Sequence, residues 1–176
     1  MRHLAGGRFL IPWNHQSLQQ ELVGRSGGLI ALGHPWKTAY TPDEEANDMV
    51  LIGWERPPTE GELEQLIALR ERGVYLIGFG LKRMPELADC IRQCSVFFDT
   101  GLADDHLVTL PNGRTLGHAN HLINALHGWM LTAEIVAALT RQGKMPAMWK
   151  GYVTKDGVAW GQRYVDKVQF HDDYQV

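Results

Sequence analysis

The chain has 176 residues, 44% of them apolar and 21% charged, with a formal net charge of −3. That length holds one substantial core but not two ordinary enzyme domains, so a single domain is expected over 1–176, with 1–150 its core and 151–176 a loop and arm. The near-neutral balance gives no basic face for nucleic acid and no footprint for acidic lipid, so neither is expected as a partner.

Met1 to Trp13 contains only the short apolar run Phe9-Leu10-Ile11, far below a signal-peptide core, and no later run is long enough to span a bilayer. A cytoplasmic protein is the expectation. Five short apolar or β-rich runs follow one another: Arg8 to Ile11, Gly28 to Gly33, Met49 to Trp54, Val74 to Phe79 and Ser95 to Phe98. Each is closed by turn residues and followed by helical spacing, the pattern of a parallel sheet covered by helices.

Among the intervening helices, Glu62 to Arg72 is the clearest, with Leu63, Leu66 and Ile67 on helical spacing and Gly73 as its stop. Gln16 to Gly24 and Met84 to Gln93 fill the same role, and Thr41-Pro42-Asp43-Glu44 has the residues of a helix start. The expected fold is therefore α/β: a doubly wound, five-stranded parallel sheet of order 2-1-3-4-5, flavodoxin-like, in three α/β/α layers. Connection direction reverses between the first and third strands, which places a ligand site between the loops Pro12 to Ser17 and Trp54 to Thr59.

Cys90 and Cys94 lie four apart in the helical stretch with no zinc-type partner spacing, and are read as reduced, structural thiols. From Gly117 to Arg141 the apolar residues leave no wide polar face, and Glu134 is the only Asp, Glu, Lys or Arg between Gly117 and Thr140. The sequence predicts a long buried helix there, covered on one side by the sheet and on another by a second copy of the chain, giving a homodimer or higher homo-oligomer. Gly151 to Val176 reads as a loop, a short helix and a final strand or arm.

Four passages, taken in order, resemble the SIS (sugar isomerase) domain family, in particular its small bacterial phosphosugar-isomerase-like members. Phe9-Leu-Ile-Pro-Trp-Asn-His-Gln-Ser17 with Arg25-Ser-Gly-Gly-Leu29 is similar to the first strand, the first ligand loop and the turn beyond the following helix. Asp48-Met-Val-Leu-Ile-Gly-Trp54, Thr59 and Glu71-Arg-Gly-Val-Tyr-Leu-Ile-Gly78 are similar to a strand, the phosphate loop, a helix and the next strand. Pro85-Glu-Leu-Ala-Asp89 and Phe98-Asp-Thr-Gly101 resemble the approach to the fifth strand and the turn after it. The long helix with Gly143-Lys-Met-Pro-Ala-Met-Trp-Lys150 resembles the final helix and the sugar-proximal segment beyond it. The aligned phosphate loop reads Trp54-Glu55-Arg56-Pro57-Pro58-Thr59 instead of Ser-x-Ser-Gly-x-Thr, so only the threonine is kept, and two prolines remove backbone donors.

The resemblance implies binding of a phosphosugar, a carbohydrate derivative, with aldose-ketose isomerisation as the reaction and no cofactor. His15, Glu55 and His121 are the candidates for proton transfer. Thr59 and Arg56 are candidate phosphate anchors, although Thr59 with Glu62 is equally a capping box and Arg56 equally a solvated loop arginine. Asn14 and Ser17 sit beside the switch point, with Ser17 and Gln20 alternatively a cap. His118 and Asn120 open the long helix, where the resemblance puts a sugar-phosphate turn, and Lys150 follows the sugar-proximal segment. His127, Trp129 and Met130 are read as core.

Two other functions stand beside this one. The chain is alternatively a non-catalytic sensor or subunit partner that keeps the fold, or a metal-dependent hydrolase or lyase using His118 and His121. No local carboxylate or third histidine completes a metal site, so no metal ligand is assigned.

Overall fold

A computed structural model describes residues 9–12, 16–22, 26–29, 34–36, 49–143, 146, 148–151 and 153–164. The protein is α/β, with helices packed on a parallel sheet. Its centre is three strands, β3 (Met49–Gly53), β4 (Tyr75–Gly80) and β5 (Val96–Asp99), paired in register from Met49↔Tyr75 to Gly80↔Asp99. All five residues of β3 are buried, as a strand covered on both faces requires.

The shorter strands β1 (Phe9–Pro12) and β2 (His34–Trp36) extend the sheet to the order β2-β1-β3-β4-β5. The second strand lies later than the expected run Gly28 to Gly33. Gly27 has φ +84, and Leu29 makes an isolated antiparallel bridge to Met148. Pro35 pairs with Ile11 in β2, which a proline tolerates because the strand is an edge.

Two helices follow the sheet's first and third strands onto opposite faces. Helix α1 (Gln16–Leu22) carries Leu18 and Leu22 into a cluster with Leu29, Met49, Leu51, Ile77 and Phe79. Helix α2 (Glu60–Glu71) carries Leu66 and Leu69 into the other, with Val50, Ile52, Trp54 and Leu76, where Leu87 and Cys90 join them. The latter two belong to a 3-10 turn, Pro85–Leu87, and helix α3 (Ala88–Gln93). Burial pushes the thiol of Cys90 up to about 11 and that of Cys94 up to about 12, so both are protonated at neutral pH and unreactive.

An antiparallel hairpin, β6 (Val108–Thr109) and β7 (Thr115–Leu116), precedes the long helix α4 (Ala119–Thr140). The sequence reading overlooked this hairpin, although Pro111-Asn112-Gly113 is a turn signal and Gly113 has φ +79. Helix α4 packs on α1 beside the sheet, burying Asn120, Asn124, Gly128, Thr132 and Leu139.

Within the single chain, helix α4 is covered on one side only. Leu122, Leu126 and Met130 are 55%, 53% and 57% exposed, forming an outward stripe, so Met130 is not core. Among the described residues α4 is the one helix long and apolar enough to cross a membrane, but its opposite face is fastened to the domain. Helix α5 (Gly157–Tyr164) follows. The helix start at Thr41 and the arm after Tyr164 lie outside the described residues.

Gly78 shows how tightly the sheet is covered. A Cβ there would lie 2.6 Å from Trp54 Cζ3 and 2.8 Å from Cys94 Sγ, so the indole and the thiol pack against bare backbone. Gly78→Ala should destabilise the fold by about 1–3 kcal/mol, the cost of overpacking a closed core. Chemical denaturation followed by tryptophan fluorescence measures it, and an unchanged midpoint would show that the Trp54 ring has room to move.

Candidate functional site

In the strand order β1 stands beside β3, and the two run parallel with Leu10 opposite Val50. Their carboxyl ends therefore share one edge of the sheet. From that edge α1 leaves on one face and α2 on the other, the arrangement of a topological switch point. Asn14 and His15 lie outside the described residues, and Ser17 is in the first turn of α1.

Beyond β3 the chain makes the turn Trp54-Glu55-Arg56-Pro57-Pro58 before α2 begins. Trp54 is anchored twice: its N–H donates to Phe79 O at 2.9 Å, and its indole is buried in the core. Its carbonyl accepts from Asn120 Nδ2 at 3.1 Å and from Asn124 Nδ2 at 3.2 Å. Both asparagines are fully buried and stand four apart on one face of α4, so a single turn of that helix grips the end of β3. The Oδ1 atoms of both have no hydrogen-bond partner among the described residues.

This grip brings two candidates together. His121 Nδ1 lies 3.0 Å from Glu55 Oε2, joining residues that are 66 apart in the chain. Their side chains keep 37% and 24% of their surface exposed, so the pair is sheltered but open to a ligand. With Glu55 ionised, Nδ1 must donate, which leaves the lone pair of the neutral imidazole on Nε2.

His118 turns elsewhere. Its Nδ1 is 3.4 Å from Asp105 Oδ2, while Asp105 Oδ1 accepts from the backbone N–H of Asn120 at 2.9 Å. Asp105 thus supplies the cap that His118, the residue at the cap position, does not. The two histidines face different carboxylates, and no group of three His, Cys, Asp or Glu side chains fit to hold a metal occurs among the described residues.

Thr59 and Arg56 are both engaged by Glu62. Thr59 caps α2 in a full capping box, accepting from Glu62 N while Glu62 Oε2 accepts from Thr59 N at 2.7 Å. The same carboxylate receives Arg56 through two nitrogens, at 2.8 and 3.0 Å. These hydrogen bonds hold the Arg56 guanidinium above its ordinary pKa against the opposing effect of burial, helped by the nearby charges of Glu62 and Glu55. As a phosphate anchor Arg56 is already matched.

Lys150 is corrected. The segment before it pairs with the turn after α1, Gly27 N to Trp149 O and Trp149 N to Gly28 O, both at 2.8 Å. Helix α1 has by then run back from the carboxyl edge, so this pairing lies toward the strands' amino ends. There Lys150 Nζ bonds Asp156 Oδ2 at 2.8 Å and sits 4.0 Å over the Trp160 ring, fastening α5. His127 lies between core and edge, against Phe79 and Phe98.

Asp105, Glu62 as the partner of Arg56, and Asn124 were missed from the sequence. Only Asn124 carried a signal, an amide four residues after Asn120 on an otherwise apolar helix.

No family model and no curated protein matches the chain. Four chains of solved structures do; one, described as a crystal structure of an hypothetical protein, is 14% identical, covering 80% of this chain and 74% of that chain at a TM-score of 0.47.

Because Asp105 caps α4, Asp105→Ala is expected to cost about 1 kcal/mol of stability, the usual loss for a removed cap. His118→Ala, whose side chain is 79% exposed, should stay within about 0.5 kcal/mol. Equal losses in urea titrations of the two variants would remove Asp105 from the capping role.

Proposed function

We propose that this edge is the carbohydrate site of a sugar-isomerase-type domain, with His121 and Glu55 as its proton-transfer pair. The contact between them at 3.0 Å, assembled from a strand end and a distant helix start beside the switch point, carries the reading. The strand order and the segments that resemble the SIS family support it. So does the sheltered position of the pair, since a general base must be both reachable and held in one tautomer.

Aldose-ketose isomerisation asks for little else. His121 Nε2 takes the proton from the carbon beside the carbonyl, while the neighbouring hydroxyl proton passes to the carbonyl oxygen. The first proton then returns to the former carbonyl carbon, so atoms balance without a co-reactant. Glu55 holds the imidazole in orientation and stabilises its charged form, as a carboxylate behind a catalytic histidine does.

A second reading is favoured by the Arg56–Glu62 pair and by Pro57 and Pro58, which close the loop where the family meets phosphate. On that reading the domain binds its sugar without turnover, as a sensor or subunit partner. The two separate cleanly: an isomerase exchanges a carbon-bound proton of the sugar with solvent, and a sensor does not.

The reading includes a cytoplasmic location and a homodimer through α4. Leu122, Leu126 and Met130, at intervals of four, give the outward apolar row that a second copy of the same helix would cover.

Thermal-shift screening of sugars with and without phosphate, followed by proton-exchange NMR on each hit, tests the site. His121→Gln should cut the exchange rate by about 100-fold or more while leaving the ligand-induced shift in melting temperature; full exchange in the variant would take His121 out of the chemistry. Leu126→Glu is expected to turn the wild-type dimer into a monomer in sedimentation analysis, and a wild type already monomeric at high concentration would end the dimer reading.

A further inference from the structure

The exposed surface of α4 is narrow and ordered. From His118, at the cap position, to Glu134 the exposed residues are His118, Leu122, Leu126, Met130, Ala133 and Glu134, and every other position is partly or fully buried. Five of these six follow one another at intervals of four. They therefore form a single ridge along the outward face, about 24 Å long at the rise of an α-helix.

The ridge is matched in shape and opposite in charge about its middle. Leu126 is the centre, Leu122 and Met130 stand one step to either side at 55% and 57% exposure, and His118 and Glu134 stand two steps away. Both end residues have capacity to spare. His118 keeps 79% of its side chain exposed with only its Nδ1 turned to Asp105, at 3.4 Å. Glu134 is exposed, makes no ion pair among the described residues, and is the only Asp, Glu, Lys or Arg between Gly117 and Thr140.

Such a ridge fits a copy of itself turned end for end. Ridges of residues four apart pack into each other's grooves when two helices cross at about −50°, which lays the ridges side by side. A twofold axis at Leu126 then sets Leu122 against Met130 of the second copy and His118 against its Glu134, with each contact made twice. Laid the same way round, the ridges would oppose Glu134 to Glu134 and His118 to His118. Charge thus decides the direction, while the leucines and the methionine supply the burial.

We propose that α4 pairs antiparallel with α4 of a second copy, centred on Leu126, and that each copy lends its Glu134 to His118 of the other. This rests on the dimer part of the proposed function and specifies it, and it is independent of the carbohydrate. His118 stands three residues before His121, and its partner Asp105 also holds the backbone N–H of Asn120. The second copy is therefore set against the same helix start that carries the Glu55–His121 pair.

Disulfide trapping of the full chain under mild oxidation reads the register. Leu126→Cys, on the axis, should cross-link to itself, and so should the double variant Leu122→Cys/Met130→Cys, in which each new cysteine meets the other one of the second copy. Leu122→Cys alone should not, because the two copies of that residue lie about 12 Å apart along the ridge, beyond the roughly 7 Å between Cα atoms that a disulfide spans. Wild type, whose only thiols are Cys90 and Cys94, is the control and should stay uncross-linked. Efficient self-cross-linking of Leu122→Cys, or none in the double variant, overturns the register.

Dissociation constants of the dimer, from sedimentation, read the charge contact. His118→Ala and Glu134→Ala should each weaken the dimer about three- to ten-fold, and the two together no more than either alone, as one shared contact requires. No loss, or losses that multiply, overturns the contact. A wild type that is monomeric at high concentration ends the dimer reading and this register with it, whereas a dimer with the wrong cross-links removes the register alone.

Discussion

The carbonyl of Trp54 is the point on which the site depends. It closes β3, its own side chain is sealed in one core, and two buried amides from a helix on the opposite face of the sheet converge on it. A buried hydrogen bond contributes only about 1 kcal/mol net, but a buried carbonyl stripped of both donors costs about 1–3 kcal/mol, so the register of α4 against β3 is strongly specified. Sliding the helix by one residue would turn Asn120 and Asn124 away together. The grip is therefore more discriminating than the apolar contacts around it, which any leucine shift would partly preserve.

Everything chemical at the edge inherits that register. Glu55 follows Trp54 directly, and His121 follows Asn120, so holding one pair of neighbours in place brings the other within hydrogen-bond distance. Gly53 belongs to the same device: a Cβ there would lie 3.1 Å from Leu18 and 3.2 Å from Asn124 Nδ2, so α1 and α4 close tightly on the bare backbone before the turn. The charges at the edge then sort themselves by partner: Glu62 with Arg56, Asp105 with the start of α4, and Glu55 with His121.

Much of the sheet was legible because its central strands are apolar runs bounded by turn residues, as Met49 to Trp54 and Val74 to Phe79 show. The second strand was misplaced for the same reason. Gly28 to Gly33 is apolar, whereas the true strand His34–Trp36 contains a proline and survives only because it is an edge. The site was half legible. The partnership of Glu55 with His121 depends on how a helix lands 66 residues later, which no local pattern encodes. Asp105 gave no signal because its cap acts from outside the helix it serves, and Lys150 was drawn into the site by resemblance, while pairing of 148–150 with the turn after α1 carries it to the other end of the sheet. The outward row on α4 shows the limit of reading a helix by composition: an absence of polar residues says that it needs cover, not which faces receive it.

Long-range proton–nitrogen correlation of the His121 imidazole tests the central claim most directly. If α4 is gripped by the end of β3, neutral His121 carries its proton on Nδ1, donated to Glu55, and Nε2 shows the shift of an unprotonated ring nitrogen. A ring protonated at Nε2, or one averaging between tautomers as in an unfolded chain, would mean that the helix start and the strand end are not joined as described.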